Sequence, residues 1–214
     1  RRADATVLSI LERVQGGKAG PVISASSGQQ FQPWELKEAV ERLSELPLLS
    51  EPGTEWHYSH ATDVVGYLVE VLSGRPLAEF LKEKIFDPLG MVDTGFSVPA
   101  EKASRFAALY TMRSQQPNSN SKYGLIDDPT RSRYLQLPSK GLVSGGGGLV
   151  STVPDWVRWT AFLLRRGSTE SGTCLLSPKT FDYAALNHLP GGADLEAMGT
   201  KATNHPNVVY KKGQ

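Results

Sequence analysis

Tyr58 lies in the run Glu51-Pro52-Gly53-Thr54-Glu55-Trp56-His57-Tyr58-Ser59-His60. A Pro-Gly turn followed at once by aromatic residues and a helix start holds a side chain rigidly at the edge of a cleft. Tyr58 falls just before a predicted helix, where its phenol would meet the positive end of the helix dipole. A phenol with the ordinary pKa of about 10 is a poor base until a cation or such a dipole lowers it. Residue type alone makes a tyrosine here a core or capping aromatic, so any chemistry has to be carried by the wider pattern.

The second conspicuous segment is Ser144-Gly145-Gly146-Gly147-Gly148-Leu149-Val150-Ser151-Thr152. It lacks the Gly-Lys-Ser/Thr ending of a phosphate-binding loop and the Gly-x-Gly-x-x-Gly spacing of a dinucleotide site. It reads instead as a strand whose backbone passes close to other elements or to the cleft. The four histidines, His57, His60, His188 and His205, show no metal-ligand spacing, and no metal is expected. Cys174 is the only cysteine, which excludes an internal disulfide. It reads as a small buried hydrophobe or a half-exposed thiol. With 23 basic and 22 acidic residues the formal charge is +1, so no nucleic-acid footprint is expected. The longest apolar runs fall far short of the roughly 20 residues of a spanning helix.

The elements that must position these residues are mostly helical. Val7, Leu8, Leu11 and Val14 predict a helix over 3–15, stopped by Gly16-Gly17, and 18–32 reads as loop. Leu36, Val40, Leu43 and Leu46 predict a second helix over 34–46. Val64, Val65, Leu68, Val69 and Leu72 give a third, over 60–72, an apolar stripe wide enough to be buried on more than one side, with Ser73-Gly74 as its stop. Pro76 opens a fourth to Phe86, with Leu77, Phe80, Leu81 and Ile85 inward, and Pro88 to Gly90 breaks it. Phe96 to Met112 reads as a strand pair or extended segments around a loop. Gln115 to Arg133 reads as a polar surface excursion. Thr152 and Pro154 open a helix to Arg166 closed by Gly167, in which Trp156, Trp159, Phe162 and Leu163 pack. Ser177-Pro178 caps another reaching about Asn187. Beyond Gly191 the periodicity is weak, with one β-prone run at Val208 to Tyr210. The sheet is incomplete on this reading.

Taken in order, four pieces of the first region resemble the central region of β-lactamase-like serine hydrolases. They are Pro-Gly-x-x-Trp-x-Tyr-Ser ending at Ser59, Asp63-Val64-Val65-Gly66, Ser73-Gly74-Arg75-Pro76-Leu77, and Ile85-Phe86-Asp87-Pro88-Leu89-Gly90-Met91-Val92-Asp93-Thr94. Ser144 to Thr152 with Asp155-Trp156 resembles the same family's Gly-rich segment. Leu176 to Thr180 and Asn187 to Gly192 are similar to the stretch after that segment in esterase-like members. The resemblance covers 31–198, leaving 1–30 and 199–214 unassigned within one partial domain over 1–214. It implies an α+β, β-lactamase/transpeptidase-like fold, a three-layer α/β sandwich plus a helical lobe, of which this chain would be a mostly helical portion.

The resemblance also implies acyl transfer on a small acyl substrate, ester or amide, with no cofactor. In that family a Ser attacks the acyl carbonyl, a Lys three residues later helps deprotonate it, and a Tyr on the opposite wall moves a proton. Tyr58 matches the tyrosine, and His60, Gly147 and Gly148 are substrate-pocket candidates. Many β-lactamases carry Asn where His60 stands, which tilts the reading from lactams toward esters or acyl transfer; a helix-capping role for His60 is the alternative. His57 reads as a surface residue.

The Ser-x-x-Lys pair is expected upstream of the tyrosine, yet only 57 residues precede Tyr58 and none of their serines has Lys three residues on. The single match, Ser119-Asn120-Ser121-Lys122, comes after the tyrosine in a polar stretch and is not expected to be the nucleophile. Lys211-Lys212-Gly213 reads as a solvated tail rather than the family's third triplet. The first residue is Arg1, not Met, with no secretory signal behind it. The chain is therefore expected to start inside a longer product and to be inactive alone. A non-catalytic binding or regulatory module of the same fold is the alternative. Nothing in the residues fixes a compartment or an oligomeric state.

Overall fold

The computed structural model describes residues 35–48, 51–54, 56, 59–112, 123–135 and 143–194. The expectations for 3–15, 18–32, His57, Tyr58, Ser119 to Lys122, Val208 to Tyr210 and Lys211 to Gly213 lie outside these residues. Helix α1 is Leu36–Ser44 and α2 is Ala61–Ser73. Gly74 ends α2 at φ 67°, the left-handed position that glycine takes without a steric penalty. Leu77–Leu81 forms α3, whose first free N–H donates to the Glu70 carboxylate of α2 at 2.8 Å. The chain continues without a break through a π turn, Lys82–Phe86, into a last turn α4, Asp87–Leu89. Pro88 is therefore not the predicted breaker. The helix nonetheless ends within the predicted Pro88 to Gly90 stretch, where Gly90 at φ 66° closes it.

Later in the chain, α5 is Val153–Leu164 and α6 is Pro178–Ala184. Thr152 caps the first by accepting from the Asp155 N–H at 3.4 Å, and Ser177 caps the second by accepting from Thr180 at 3.1 Å. Strands β1, Leu109–Met112, and β2, Tyr123–Asp127, pair antiparallel, with Tyr110 opposite Leu125 and a register irregularity after Leu109. β2 falls inside the stretch predicted as a surface excursion, and the partner of β1 is not in Phe96 to Met112. That segment instead carries a 3-10 turn at Ala100–Arg105. The two strands are joined by an antiparallel backbone ladder, and backbone hydrogen bonds leave no mark in an apolar pattern. The Gly-rich segment is not a strand either. It bends through 145–147, and its one β-type pairing is the isolated antiparallel bridge between Gly95 and Val150.

Among the described residues the buried hydrophobic side chains are Leu36, Leu77, Phe86, Met91 and Phe162. Trp159 packs beside Phe162 with ring centroids 5.4 Å apart, while Trp156 is exposed. Cys174 is also exposed. The apolar stripe of α2 does not bury as predicted: Val64, Val65, Leu68 and Leu72 are exposed and Val69 is half-buried. The buried residues of the helix are Asp63 and Gly66, and the Gly145 backbone comes within van der Waals reach of Gly66.

A buried carboxylate organises the junction of α4 and α5. Asp155, 1% exposed, accepts from the Asp93 N–H at 2.7 Å, from Thr94 Oγ1 at 2.9 Å and from Arg158 at 2.9 Å. Thr94 also meets Ser151 at 2.8 Å. Asp155→Ala is expected to cost about 3 kcal/mol, since each buried donor left unpaired costs roughly 1–3 kcal/mol. Ser151→Ala should cost less than about 1 kcal/mol because Thr94 keeps its carboxylate. Urea denaturation of the two variants checks this, and equal losses would contradict it.

Candidate functional site

The site is built where α2 meets the Gly-rich segment. Gly66 of α2 and Gly145 face each other with no side chain between them. A Cβ on Gly66 would lie 3.0 Å from Gly145 Cα and 2.9 Å from a Leu77 methyl, and one on Gly145 would overlap the Thr62 carbonyl. A Cβ on Gly146 would come within 2.6 Å of Thr62 Oγ1. Close backbone approach is thus the reason for glycine at 66 and 145, while at 146 the Thr62 side chain takes the space. Gly147 differs, since nothing lies within 4 Å of its Cβ position, and Gly148 is needed for its φ of 83°.

The approach brings Asp63 under the Gly-rich bend. Its Oδ1 accepts from Ser144 Oγ at 2.6 Å and from the Gly146 N–H at 3.3 Å, and its Oδ2 lies 2.9 Å from His60 Nδ1. Burial alone would raise the Asp63 pKa. The hydrogen bonds from His60, Ser144 and Gly146, with the attraction of the imidazole, outweigh it and hold the carboxyl below the usual carboxylate range. His60 occupies the N-cap position of α2, but its side chain makes no capping bond. The ring serves Asp63 instead.

Beside this network α2, α3 and the Gly-rich bend enclose an open apolar hollow of about 240 Å³. Val65, Val69, Leu81, Phe96 and Leu149 form its walls, with Thr62 and Gly147 at the polar edge. Of the sequence-predicted site residues, Gly147 lines this hollow, and His60 joins its rim through Asp63 and Ser144. Gly148 is the next residue along, and Tyr58 lies outside the described residues. Asp63 and Ser144 belong to the motifs but carry no role in the sequence reading. The one signal that points to Asp63 is an acidic residue in the first turn of an otherwise apolar helix. Among the described residues no cluster of His, Cys, Asp and Glu is suited to a metal, and no helix is long and apolar enough to cross a membrane.

Gly145→Ala should lower stability by about 1–3 kcal/mol or more through forced overpacking, whereas Gly147→Ala should stay within roughly 0.5 kcal/mol; paired thermal melts separate them. Asp63 is depressed in the folded state, so its stabilisation is complete above the unfolded carboxyl pKa of about 3.9 and is lost as pH falls through the lower folded value. Asp63→Asn should therefore flatten the loss of stability below pH about 4. A variant with an unchanged acid limb would refute the assignment.

Residues 20–199 match the family model described as Beta-lactamase. The chain is 42% identical to esterase EstB of Burkholderia gladioli over 88 residues, 41% of this chain and 22% of EstB. It is 32% identical to the lovastatin esterase of Penicillium rubens over 155 residues, 72% of this chain and 36% of the esterase. The solved structure of EstCE1, a hydrolase with promiscuous acyltransferase activity, matches 75% of this chain and 42% of its own at a TM-score of 0.55 and 24% identity, a likeness of fold. The chain thus spans roughly a fifth to a third of the length of the curated relatives it matches. With most of its residues inside the family match, the chain belongs to the Beta-lactamase family and carries a mostly helical part of the β-lactamase/transpeptidase-like α+β fold.

Proposed function

We propose that this chain is the tyrosine-bearing portion of a serine hydrolase that cleaves or transfers the acyl group of small esters. Tyr58 moves a proton at the reacting acyl group, and His60, Gly147 and Gly148 border the substrate. The single partial domain over 1–214, with 31–198 as its family-like part, is the unit that carries them. The observation behind the preference for esters is the engagement of His60 Nδ1 by Asp63. An asparagine amide offers a substrate one acceptor and two donors. An imidazole with one nitrogen already bound offers a single atom, a poor match to the N–H and C=O of an amide. The esterase names of the sequence relatives point the same way.

The nucleophile is not assigned within these residues. Ser119-Asn120-Ser121-Lys122, the only Ser-x-x-Lys in the sequence, comes after Tyr58 in a polar run without the apolar periodicity of a buried helix. We therefore propose that the 214-residue chain alone does not turn over, and that activity needs a Ser-x-x-Lys helix from elsewhere in a longer protein.

Fluorophosphonate labelling and a nitrophenyl-ester assay test both statements. The chain alone should show neither stoichiometric labelling nor turnover. A version extended to include a Ser-x-x-Lys segment should show both, and Tyr58→Phe should then lower its kcat by about 100-fold to 10,000-fold. Stoichiometric labelling of the 214-residue chain that disappears in Ser119→Ala would overturn the second proposal. An extended version whose turnover ignores Tyr58→Phe would overturn the first.

A further inference from the structure

Asp63 is one of two carboxylates buried among the described residues, and it joins two segments 81 residues apart in the sequence. Two side chains and one backbone N–H meet its carboxylate. Ser144 Oγ and the Gly146 N–H occupy Oδ1, and His60 Nδ1 faces Oδ2. The Gly146 N–H also donates to Ser144 Oγ at 3.1 Å, and the Ser144 hydroxyl donates to the carboxylate. A carboxylate that accepts from every side is acceptor-only. The nitrogen facing it must then carry a hydrogen.

We propose that Asp63 is a positioning residue that locks His60 in the Nδ1–H tautomer, leaving Nε2 as a hydrogen-bond acceptor for a free substrate hydroxyl, that of the acceptor alcohol in an acyl transfer or one carried elsewhere on an ester substrate. The substrate half of this statement rests on the function proposed above; the tautomer half does not. Nε2 has no hydrogen-bond partner among the described residues. A free imidazole prefers the opposite tautomer, with the hydrogen on Nε2, so the lock is a detectable departure. The depressed Asp63 pKa keeps the carboxylate ionised, and therefore unable to donate, across the neutral range.

The arrangement differs from a serine nucleophile triad. Ser144 donates to the carboxylate rather than to the imidazole, so the ring does not activate its oxygen. Ser144 and Gly146 instead hold the carboxylate so that the ring can turn in only one way. This is the second layer that orients a substrate-facing group.

Long-range nitrogen–proton NMR of the full 214-residue chain, with labelled histidine above the imidazole titration, reads the tautomer without any turnover. His60 should be Nδ1–H, assigned by its loss in His60→Gln. Asp63→Asn should shift the population toward Nε2–H, and Ser144→Ala, which leaves the His60–Asp63 pair intact, should keep Nδ1–H dominant. Nε2–H as the dominant form in the unaltered chain would overturn the proposal, whether or not the Asp63 variant folds. In an active extended version, Asp63→Asn should raise KM for hydroxyl-bearing acceptors more than it lowers kcat with a simple aryl ester. Equal effects on both would overturn the specificity role while leaving the ester reading intact.

Discussion

Two glycines with nothing between them set the rest of this structure. Gly66 and Gly145 let a helix and a passing chain come to backbone contact, and a methyl group on either would collide with backbone or with Leu77. Only at that separation can the Asp63 carboxylate reach Ser144 and Gly146. A buried carboxylate without such partners would cost several kcal/mol and would protonate instead. The contact and the charge therefore require each other. Without the close approach the charge is orphaned, and without the charge the bend at 144–146 loses the acceptor that shapes it.

The same device recurs one segment later. Asp155 binds the backbone of Asp93 and the hydroxyl of Thr94, while the bridge from Gly95 to Val150 lies between the two carboxylates. The stretch from Ser144 to Asp155 is thus pinned to α2 at its start and to the turn after α4 at its end. Gly147, Gly148 and Leu149 are suspended between the pins. Gly147 has open space around it and lines the apolar hollow. A segment held at both ends and bare in the middle is suited to face a ligand, because its backbone is fixed by interactions that a ligand does not have to displace.

Local chemistry is legible in the sequence and long-range pairing is not. Thr152 and Ser177 announce their helices because a capping hydroxyl acts within three residues, and Gly74 announces an end because only its own φ is at stake. The glycine run reads rightly as a close backbone pass and wrongly as a strand, since composition tells that space is tight and not what fills it. The valines and leucines of α2 mislead for a related reason. Periodicity locates an apolar face but is silent on which face meets a partner, and here the buried residues are Asp63 and Gly66. The strand at 123–127 is hidden because backbone bonds, which leave no trace in side-chain pattern, hold it to 109–112. Of the candidate site, the histidine is found by its position in a motif, while its partner Asp63 needs the fold.

That partnership bears on what a histidine can do in place of an asparagine. An asparagine amide can turn over and present donor or acceptor to suit a substrate amide. An imidazole whose Nδ1 meets a buried carboxylate cannot turn without losing that contact. The cost of reversing the ring thus falls on the same network that shapes the Gly-rich bend. In the proposed function, selectivity would come from a group that cannot adapt, held from beneath by a carboxylate that need not touch the substrate.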